Sequence, residues 1–351
     1  MASDYSELSR RIKHAGLLRR RSAYYAAKIA STAVLLAAGW TAFLLLGDSW
    51  WQLVTAVFLA FAFTQIAFLG HDAGHRQIFG TRRANGLVGL VLGNLLIGVS
   101  YTWWVGKHNR HHSNPNHADL DPDVTIGALA FTAAQASDKR GLVRAVVRFQ
   151  AYLFFPLLLF EAAHLHTASV KAVLGGRERL DRVEALLLLV HAAAYFAALL
   201  LVLSPLRAAV FLLVQQGLFG LYLGCCFAPN HKGMPMLEGG KEPDYLRRQV
   251  LTSRNVRGSR VVDFLMGGLN YQIEHHLFPS MPRPNLRRAQ PLVRAFCVER
   301  GVSYSESGVF GSYREALRHL HEAGAPLRPA VADAVTDSEA AEQVVLGLAW
   351  S

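Results

Sequence analysis

The sequence predicts an all-α integral membrane protein, in which four transmembrane helices form two hairpins and carry interfacial helices and a cytoplasmic helical cap. Its 351 residues are 52% hydrophobic and only 17% charged, which is too apolar for a soluble core of ordinary composition. Four apolar runs approach the ~20 residues that cross a ~30 Å hydrocarbon layer. Short histidine clusters lie between these runs. The chain is therefore expected to hold metal beside a membrane.

The four predicted spans are residues 27–46, 51–69, 183–203 and 207–227. The net charge is +11, and a group of basic side chains precedes the first span: Arg10, Arg11, Lys13, Arg19, Arg20 and Arg21. By the positive-inside rule these residues hold the N-terminus in the cytoplasm. Two hairpins return the chain to the same side. Both termini are therefore expected in the cytoplasm of a multi-pass cell-membrane protein.

Two shorter apolar stretches, residues 84–99 and 149–163, decide the topology. If either stretch crossed the membrane alone, the histidine clusters would lie on opposite sides of the bilayer. Both are therefore predicted to lie in the interface. The membrane domain then covers residues 1–323, with a cytoplasmic cap made of residues 70–182 and 228–323. Residues 324–351 lack periodicity and are predicted to be a mobile tail.

The histidine clusters share a spacing of three or four residues, which places their members on one face of a helix. They comprise His71 and His75, then His108, His111 and His112, and finally His275 and His276 preceded by Gln272. Seven imidazoles exceed what one ion takes, so the pattern indicates a dinuclear centre. Four other histidines stand alone or in amphipathic stretches and are interpreted as non-ligands: His14, His191, His319 and His321.

Other kinds of site are excluded by composition. Cys225, Cys226 and Cys297 form neither a disulfide framework nor a zinc or iron–sulfur pattern. The basic residues flank the spans and no nucleic-acid-binding fold surrounds them. No Gly-x-Gly-x-x-Gly loop occurs, so the chain is not expected to bind its own nicotinamide or flavin.

The three clusters resemble the histidine boxes of the membrane fatty acid desaturases. The boxes read HDAGH at 71–75, HNRHH at 108–112 and QIEHHLFP at 272–279. The third box, flanked by NYQ at 270–272 and PSMPR at 279–283, is similar to the branch of actinobacterial acyl-CoA desaturases and front-end desaturases. The resemblance covers roughly residues 20–320 and includes PNHKG at 229–233, where such desaturases place a further ligand histidine.

This resemblance implies O₂-dependent insertion of a cis double bond into a long-chain acyl group at a di-iron site held by the cap. The acyl group is expected on coenzyme A or, alternatively, in an acyl lipid. The implied iron ligands are His71, His75, His108, His111, His112, His231, His275 and His276. No cytochrome b5-like His-Pro-Gly-Gly motif occurs, which implies a separate electron donor, such as a ferredoxin- or flavin-type reductase.

Several roles near the boxes stay open. Gln272 either ligates iron or forms a hydrogen bond with a ligand, as metal-bound imidazoles usually require. Three neighbours of ligands are candidates for such outer hydrogen bonds, although a solvated face fits the first two equally: Asp72, Glu274 and Asn230. An acidic segment lacks the calcium-loop pattern and is predicted to form a turn or an outer contact: His117, Asp119, Asp121 and Asp123.

Some candidates have two interpretations or fall outside the site. His164 and His166 lie two residues apart, off a shared helical face, and are left outside it. Trp103 and Trp104 fit either a headgroup anchor or the wall of an acyl tunnel. A basic group fits coenzyme A phosphates or the positive-inside bias equally: Arg247, Arg248, Arg254, Arg257 and Arg260.

Three other functions use some of the same features. A di-iron hydroxylase of the same superfamily would use the same ligands and return oxygen to the substrate. A metal transporter would place its sites near the bilayer midplane, whereas these clusters lie at the ends of spans or in loops. A metal-free lipid-binding relative would not need intact boxes. Desaturation is therefore the preferred function.

Overall fold

The structure, a computed structural model, describes residues 3–125, 127–176, 179–239 and 243–328. The helices of the first half are α1 (Asp4–His14), α2 (Ser22–Leu46), α3 (Gln52–Gly74), α4 (Arg82–Leu90), a π-helix (Val91–Leu96), α5 (Tyr101–Ser113), α6 (Ala133–Ser137), α7 (Gly141–Arg148), α8 (Gln150–Leu158) and α9 (Glu161–Gly175).

The second half continues with two long helices and then shorter elements. They are α10 (Arg179–Val202), α11 (Pro205–His231), α12 (Tyr245–Leu251), β1 (Asn255–Arg257), α13 (Arg260–Leu265), α14 (Gln272–Leu277), α15 (Arg283–Glu299), β2 (Glu306–Gly308), α16 (Val309–Ala323) and a 3₁₀-helix (Ala325–Leu327).

Four of these helices are long and apolar enough to cross a membrane: α2, α3, α10 and α11. They overlap the four spans predicted from the sequence, and the predicted fold class is confirmed. Helix α3 packs against both α2 and α11, while α10 packs against α9 and α11. The two hairpins therefore form one helical bundle around α3 and α11.

The turns of the two hairpins are joined to each other. Gly47, with φ +57°, ends α2, and Asp48 follows it. The Asp48 carboxylate accepts hydrogen bonds from the backbone N–H of Ser204 at 2.9 Å and from its hydroxyl at 3.1 Å. The same carboxylate pairs with Arg207. These contacts fix the first hairpin to the second at the end of the bundle opposite to the histidines.

The predicted interfacial stretch 84–99 is a bent helical segment. Helix α4 continues into the π-helix, the chain turns at Gly98, and α5 leaves at an angle of 112°. Gly98 has φ +70°, and a Cβ at this position would lie 2.6 Å from Cδ2 of His191. Both its backbone conformation and its surroundings therefore require glycine.

The second stretch, 149–163, is also broken. Helices α7 and α8 meet at 105°, and α9 begins after a further break. The segment lies close to α11, because a Cβ at Gly224 would lie 2.5 Å from Cδ2 of Leu158. By length and composition alone, each bent pair could also be one broken span, so an interfacial location of both stretches stays a prediction.

The second part of the predicted cap, residues 228–323, contains the elements from α12 to α16. Strand β1 pairs with β2 in parallel, with Val256 opposite Ser307. A buried apolar cluster includes Ile273 and Phe296, and Leu8 of α1 joins it, so the N-terminal helix also packs on the cap. At the predicted tail, the 3₁₀-helix buries Leu327. Residues 329–351 lie outside the described residues.

Candidate metal centre

Helices from both halves of the chain bring the clustered histidines together. His71 lies in the last turn of α3 and His75 is its C-cap residue. His231 is the last residue of α11. Helix α5 contributes the second cluster and the short α14 contributes the third: His108, His111 and His112, then His275 and His276. In the first two clusters, a spacing of three or four residues places imidazoles on one helical face. The adjacent His275 and His276 diverge instead, with their rings at 87° to each other, and reach different parts of the same centre.

The imidazoles form two groups whose potential ligand atoms all lie within 4.8 Å of one another. The first group is His71, His75, His108 and His275, and the second is His111, His231 and His276. His112 lies between them, with its Nε2 3.1 Å from Nε2 of His108 and its ring stacked on His276 at 4.2 Å. All eight histidines that the sequence nominates therefore converge.

Four of these imidazoles have Nδ1 next to an oxygen atom of the surrounding structure. The distances are 3.4 Å from His71 to Asp72, 3.0 Å from His111 to Asp121, 3.0 Å from His231 to the carbonyl of Thr252, and 2.9 Å from His276 to the amide oxygen of Gln249. An Nδ1–H donated to oxygen leaves the lone pair on Nε2, which is the tautomer that binds metal through Nε2.

The inner nitrogen atoms of the centre are largely without protein partners. Among the described residues, buried nitrogens without a hydrogen bond include Nε2 of His71, His75, His275 and His276. Buried polar atoms normally have hydrogen-bond partners, so a cluster of unpaired ring nitrogens indicates a site that binds metal ions. A set of nitrogen donors in two adjacent groups fits two transition-metal ions. The residues present therefore fit the dinuclear centre expected from the sequence.

The electrostatics favour neutral ligands. Burial, with repulsion from neighbouring rings, lowers the pKa values of His108, His112, His275 and His276 well below the ordinary value. These rings are neutral at pH 7, the form that coordinates metal. Burial also acts to lower the pKa of His111, but the Asp121 carboxylate outweighs it, so this pKa is raised. Such a carboxylate makes the imidazole a more basic ligand.

Gln272 lies inside the centre, beside the second group. Its amide nitrogen is 2.8 Å from Nε2 of His231. Asn230, which precedes His231, directs its own amide to Gln272 at 3.4 Å and to the carbonyls of Cys226 and Leu269. Asn230 therefore orients Gln272 and the end of α11 and forms no hydrogen bond with a histidine of the centre.

Asp72 and Glu274, the acidic residues that precede or follow a clustered histidine in the sequence, form different contacts. Asp72 lies against His71 and forms a buried ion pair with Arg283 at 2.6 Å. Glu274 instead accepts hydrogen bonds from Asn255 at 2.7 Å and from Tyr304 at 2.8 Å. Glu274 is fully buried rather than on a solvated face, and its carboxylate is held by these two residues instead of by a histidine. Burial raises the pKa of Glu274 to about 7, although those two hydrogen bonds oppose the shift.

The acidic segment after the second box forms a turn around Asp121. Its carboxylate contacts His111 and accepts the backbone N–H groups of Asn116 and Asp123 at 2.8 Å. Asp119 is exposed, and its N–H donates to Nδ1 of His117 at 3.2 Å. The segment thus combines the two roles left open by the sequence, a turn and an outer contact to a ligand.

Two partners of ligands have no local signal in the sequence. Gln249 on α12 accepts a hydrogen bond from His276 and donates one to the carbonyl of His112 at 2.9 Å. Thr252 follows α12 and presents its carbonyl to His231. Both residues are fully buried. Only the fold of the cap brings them to the boxes.

The structure also places the other residues that the sequence analysis considered. The histidines interpreted as non-ligands lie in neither group, and His166 bonds to the carbonyl of Gly98 at 2.8 Å. Trp104 stacks on His108 at 4.5 Å and lines a cavity, which favours a tunnel wall over a headgroup anchor. Arg254 is fully buried and pairs with Glu315. Arg254 is therefore not available to coenzyme A.

A cavity of about 370 Å³ opens beside the histidines. His71, His108, His111 and His231 lie in its wall with Gln272. Apolar side chains form much of the remainder, including Ile97, Leu165, Phe219, Leu223 and Phe227. An apolar cavity with a few convergent polar groups is typical of a ligand site. Its composition suits a hydrocarbon chain held next to the histidines.

Comparisons with known proteins agree with this arrangement. The family model described as fatty acid desaturase matches residues 48–308. An acyl-lipid (9-3)-desaturase of Physcomitrium patens is 31% identical over 92% of this chain, which spans 63% of that relative. A delta(6)-fatty-acid desaturase of Caenorhabditis elegans is 32% identical over 91% of this chain and 74% of its own.

A third relative acts on a different lipid, according to its name. It is a delta 8-(E)-sphingolipid desaturase of Kluyveromyces lactis, 29% identical over 92% of this chain and 59% of its own. The chain therefore spans less than two thirds of some of the curated relatives that it matches.

Proposed function

The chain belongs to the fatty acid desaturase family, and from this premise we propose that it inserts a cis double bond into a long-chain acyl group with O₂ as co-substrate. One observation carries the proposal: two adjacent groups of buried histidines border a largely apolar cavity, and His71, His108, His111 and His231 lie in its wall. Unactivated methylenes offer no charge to recognise, so their position must be set by such a cavity.

The proposed ligands divide between two iron ions according to the two groups. His71, His75, His108 and His275 hold one ion, while His111, His231 and His276 hold the other. His112, placed between the groups, completes the set. The side-chain amide of Gln272 lies 2.8 Å from Nε2 of His231, the atom proposed to bind iron. Gln272 is therefore proposed to lie beside the ion that His231 would hold.

When bound, two iron ions supply O₂ activation and the removal of two hydrogens from adjacent methylenes. The chain itself contributes geometry. Asp72, Asp121, Gln249 and Thr252 fix the imidazole rings through Nδ1. The apolar wall excludes water and holds the acyl chain beside the histidines, which brings the reacting groups together before the reaction.

The proposed setting is a cell membrane with the centre and both termini in the cytoplasm. The basic residues before α2 and the histidine end of the bundle then lie on the same side. This side also gives access to a separate electron donor, such as a ferredoxin- or flavin-type reductase. We propose coenzyme A as the acyl carrier. The name of the moss relative specifies an acyl lipid instead, so a test must include both carriers.

The proposal is tested by expressing the chain in a host together with a ferredoxin and its reductase. Gas chromatography–mass spectrometry of the host fatty acids is compared with that of a His276→Ala variant. A new double bond in the wild type, absent from the variant, is expected. A hydroxylated product would reassign the chain to the hydroxylases of the superfamily. An unchanged profile despite two irons per purified chain would contradict desaturation of the host lipids.

A further inference from the structure

One part of the cavity wall is charged. Lys107 pairs with Asp123, and Nζ of Lys232 donates to the backbone carbonyl of Asp123 at 3.2 Å. All three residues line the cavity, and Nζ of Lys232 also lies 3.9 Å from the ring centre of Phe131. Charged groups in the wall of a largely apolar cavity are unfavourable unless they have polar partners.

A fourth charged residue of this wall is Glu161. It begins α9, directly after the break that follows α8. Its carboxyl group forms neither a hydrogen bond nor an ion pair with the residues that the structure describes. It interacts with Lys107 and Asp123 only electrostatically, at longer range. Burial raises the pKa of this carboxyl to about 7. A carboxylic acid with an available proton can donate a hydrogen bond.

A hydrocarbon chain cannot form hydrogen bonds with these charged groups. A cavity that bound only methylenes would leave the carboxyl of Glu161 desolvated without a partner, which is unfavourable. The polar end of an acyl chain can instead accept hydrogen bonds through its carbonyl oxygen. The ammonium group of Lys107 keeps donors beyond the one used by Asp123. The charged wall is thus complementary to a carbonyl and the apolar wall to the remaining chain.

We propose that Glu161 and Lys107 bind the carbonyl oxygen of the substrate's acyl group, an ester, thioester or amide, and so fix the register of the chain. This inference rests on the proposed function and adds the polar subsite to it. The subsite adjoins the centre, because a carboxylate oxygen of Asp123 lies 3.5 Å from Nδ1 of His111. Binding the carbonyl there sets how many carbons separate it from the histidines.

The first test measures binding and does not require turnover. The iron-loaded full chain in detergent is titrated with methyl oleate and with octadecene, which has a similar hydrocarbon chain but no carbonyl. The wild type is expected to prefer methyl oleate. In Glu161→Leu and Lys107→Met, the affinity for methyl oleate should fall by about tenfold, as expected for the loss of one hydrogen bond in a desolvated site. The affinity for octadecene should hold.

Two further variants make the test specific. Glu161→Gln keeps a donor at the same place and should retain the preference for methyl oleate. Leu157→Ala, on the apolar wall of the same cavity, should weaken both ligands equally. Thermal unfolding and iron content show that each variant is folded and loaded. Equal binding of both ligands by the wild type, or an unchanged preference in Glu161→Leu and Lys107→Met, would overturn the inference.

The second test identifies the carrier and separates this inference from the proposed function. Oleoyl-coenzyme A and vesicles of dioleoylphosphatidylcholine compete with methyl oleate for the subsite, and the stronger competitor identifies the natural ester. In the desaturation assay, Glu161→Leu should give double bonds at more than one position, because its register is lost. A wild type that prefers methyl oleate but forms no double bond would refute desaturation while leaving the carbonyl subsite supported.

Discussion

The carboxylate of Asp121 lies 3.0 Å from Nδ1 of His111, and both side chains are buried. The carboxylate is itself fixed by the backbone N–H groups of Asn116 and Asp123 at 2.8 Å. His111 is thereby held in one orientation, beside His231 and His276. A turn of the chain thus becomes part of the candidate metal centre.

Asp121→Asn should lower iron affinity by roughly 10- to 100-fold, the usual effect of removing a hydrogen-bond partner of a ligand. The asparagine side chain has only one oxygen, which cannot accept hydrogen bonds from both backbone N–H groups and the imidazole as the two carboxylate oxygens do. His111 therefore loses its fixed orientation. Iron per purified chain, measured at several free iron concentrations, checks this. The exposed Asp119→Asn is the matched control. Equal iron retention by the two variants would show that His111 needs no carboxylate.

Gln249→Leu should also weaken iron binding by roughly 10- to 100-fold. Its side chain joins the second and third boxes, accepting from His276 and donating to the carbonyl of His112. Gln249→Glu keeps the acceptor for His276 and should restore much of the iron content. Gln290→Leu, whose side chain contacts Glu306 at 3.4 Å, is the control. A glutamate variant as poor as the leucine variant would assign Gln249 a packing role alone.

The helical bundle was predictable because an apolar segment that crosses a membrane must form a helix of known length, in which the backbone hydrogen bonds are internal. The breaks near the site were harder to foresee. At the break between the π-helix and α5, the carbonyl of Gly98 accepts a hydrogen bond from His166 at 2.8 Å. The carbonyl of Leu95 accepts one from His191 at 2.9 Å. Neither histidine belongs to the two groups of the candidate centre. Nothing in the sequence indicates that both serve a bent backbone, since these contacts join distant segments.

The centre was predictable where its chemistry is local. Helical spacing within the boxes identifies the histidines, and resemblance adds His231. The residues that orient the rings are less visible. Gln249 reaches His276 only through the packing of α12 on α14, whereas Glu274, adjacent in sequence to His275, points toward Tyr304. Proximity along the chain is therefore a weak guide to the hydrogen bonds around a ligand.

Glu184→Leu should lower the free energy of unfolding by about 1–3 kcal/mol, the cost of leaving buried donors unpaired. This carboxylate of α10 accepts the hydroxyls of Ser100 and Thr102 at 2.6 Å and the Thr102 N–H at 3.0 Å. It thereby fixes the first turn of α5, which carries the second box. Thermal unfolding in detergent measures the change, and the exposed Glu322→Leu is the control. A stability equal to that of the control would contradict the anchor.

Phe219→Ala should shift the products toward longer acyl chains. Phe219 lines the cavity beside the histidines, and its ring lies 5.8 Å from that of Phe63, which lines a second cavity of about 260 Å³. Removing the aromatic ring leaves space between the two cavities. Fatty acid analysis of a host fed with acyl chains of increasing length checks the shift.

Phe211→Ala separates this effect from general loss of packing. Phe211 is fully buried on the same helix but lines neither cavity, so both variants lose a buried aromatic ring, which typically costs about 3–5 kcal/mol. Only Phe219→Ala should change the chain-length profile, because only this substitution alters the space open to the substrate. Identical profiles in the two variants would show that the acyl chain ends before it reaches Phe219.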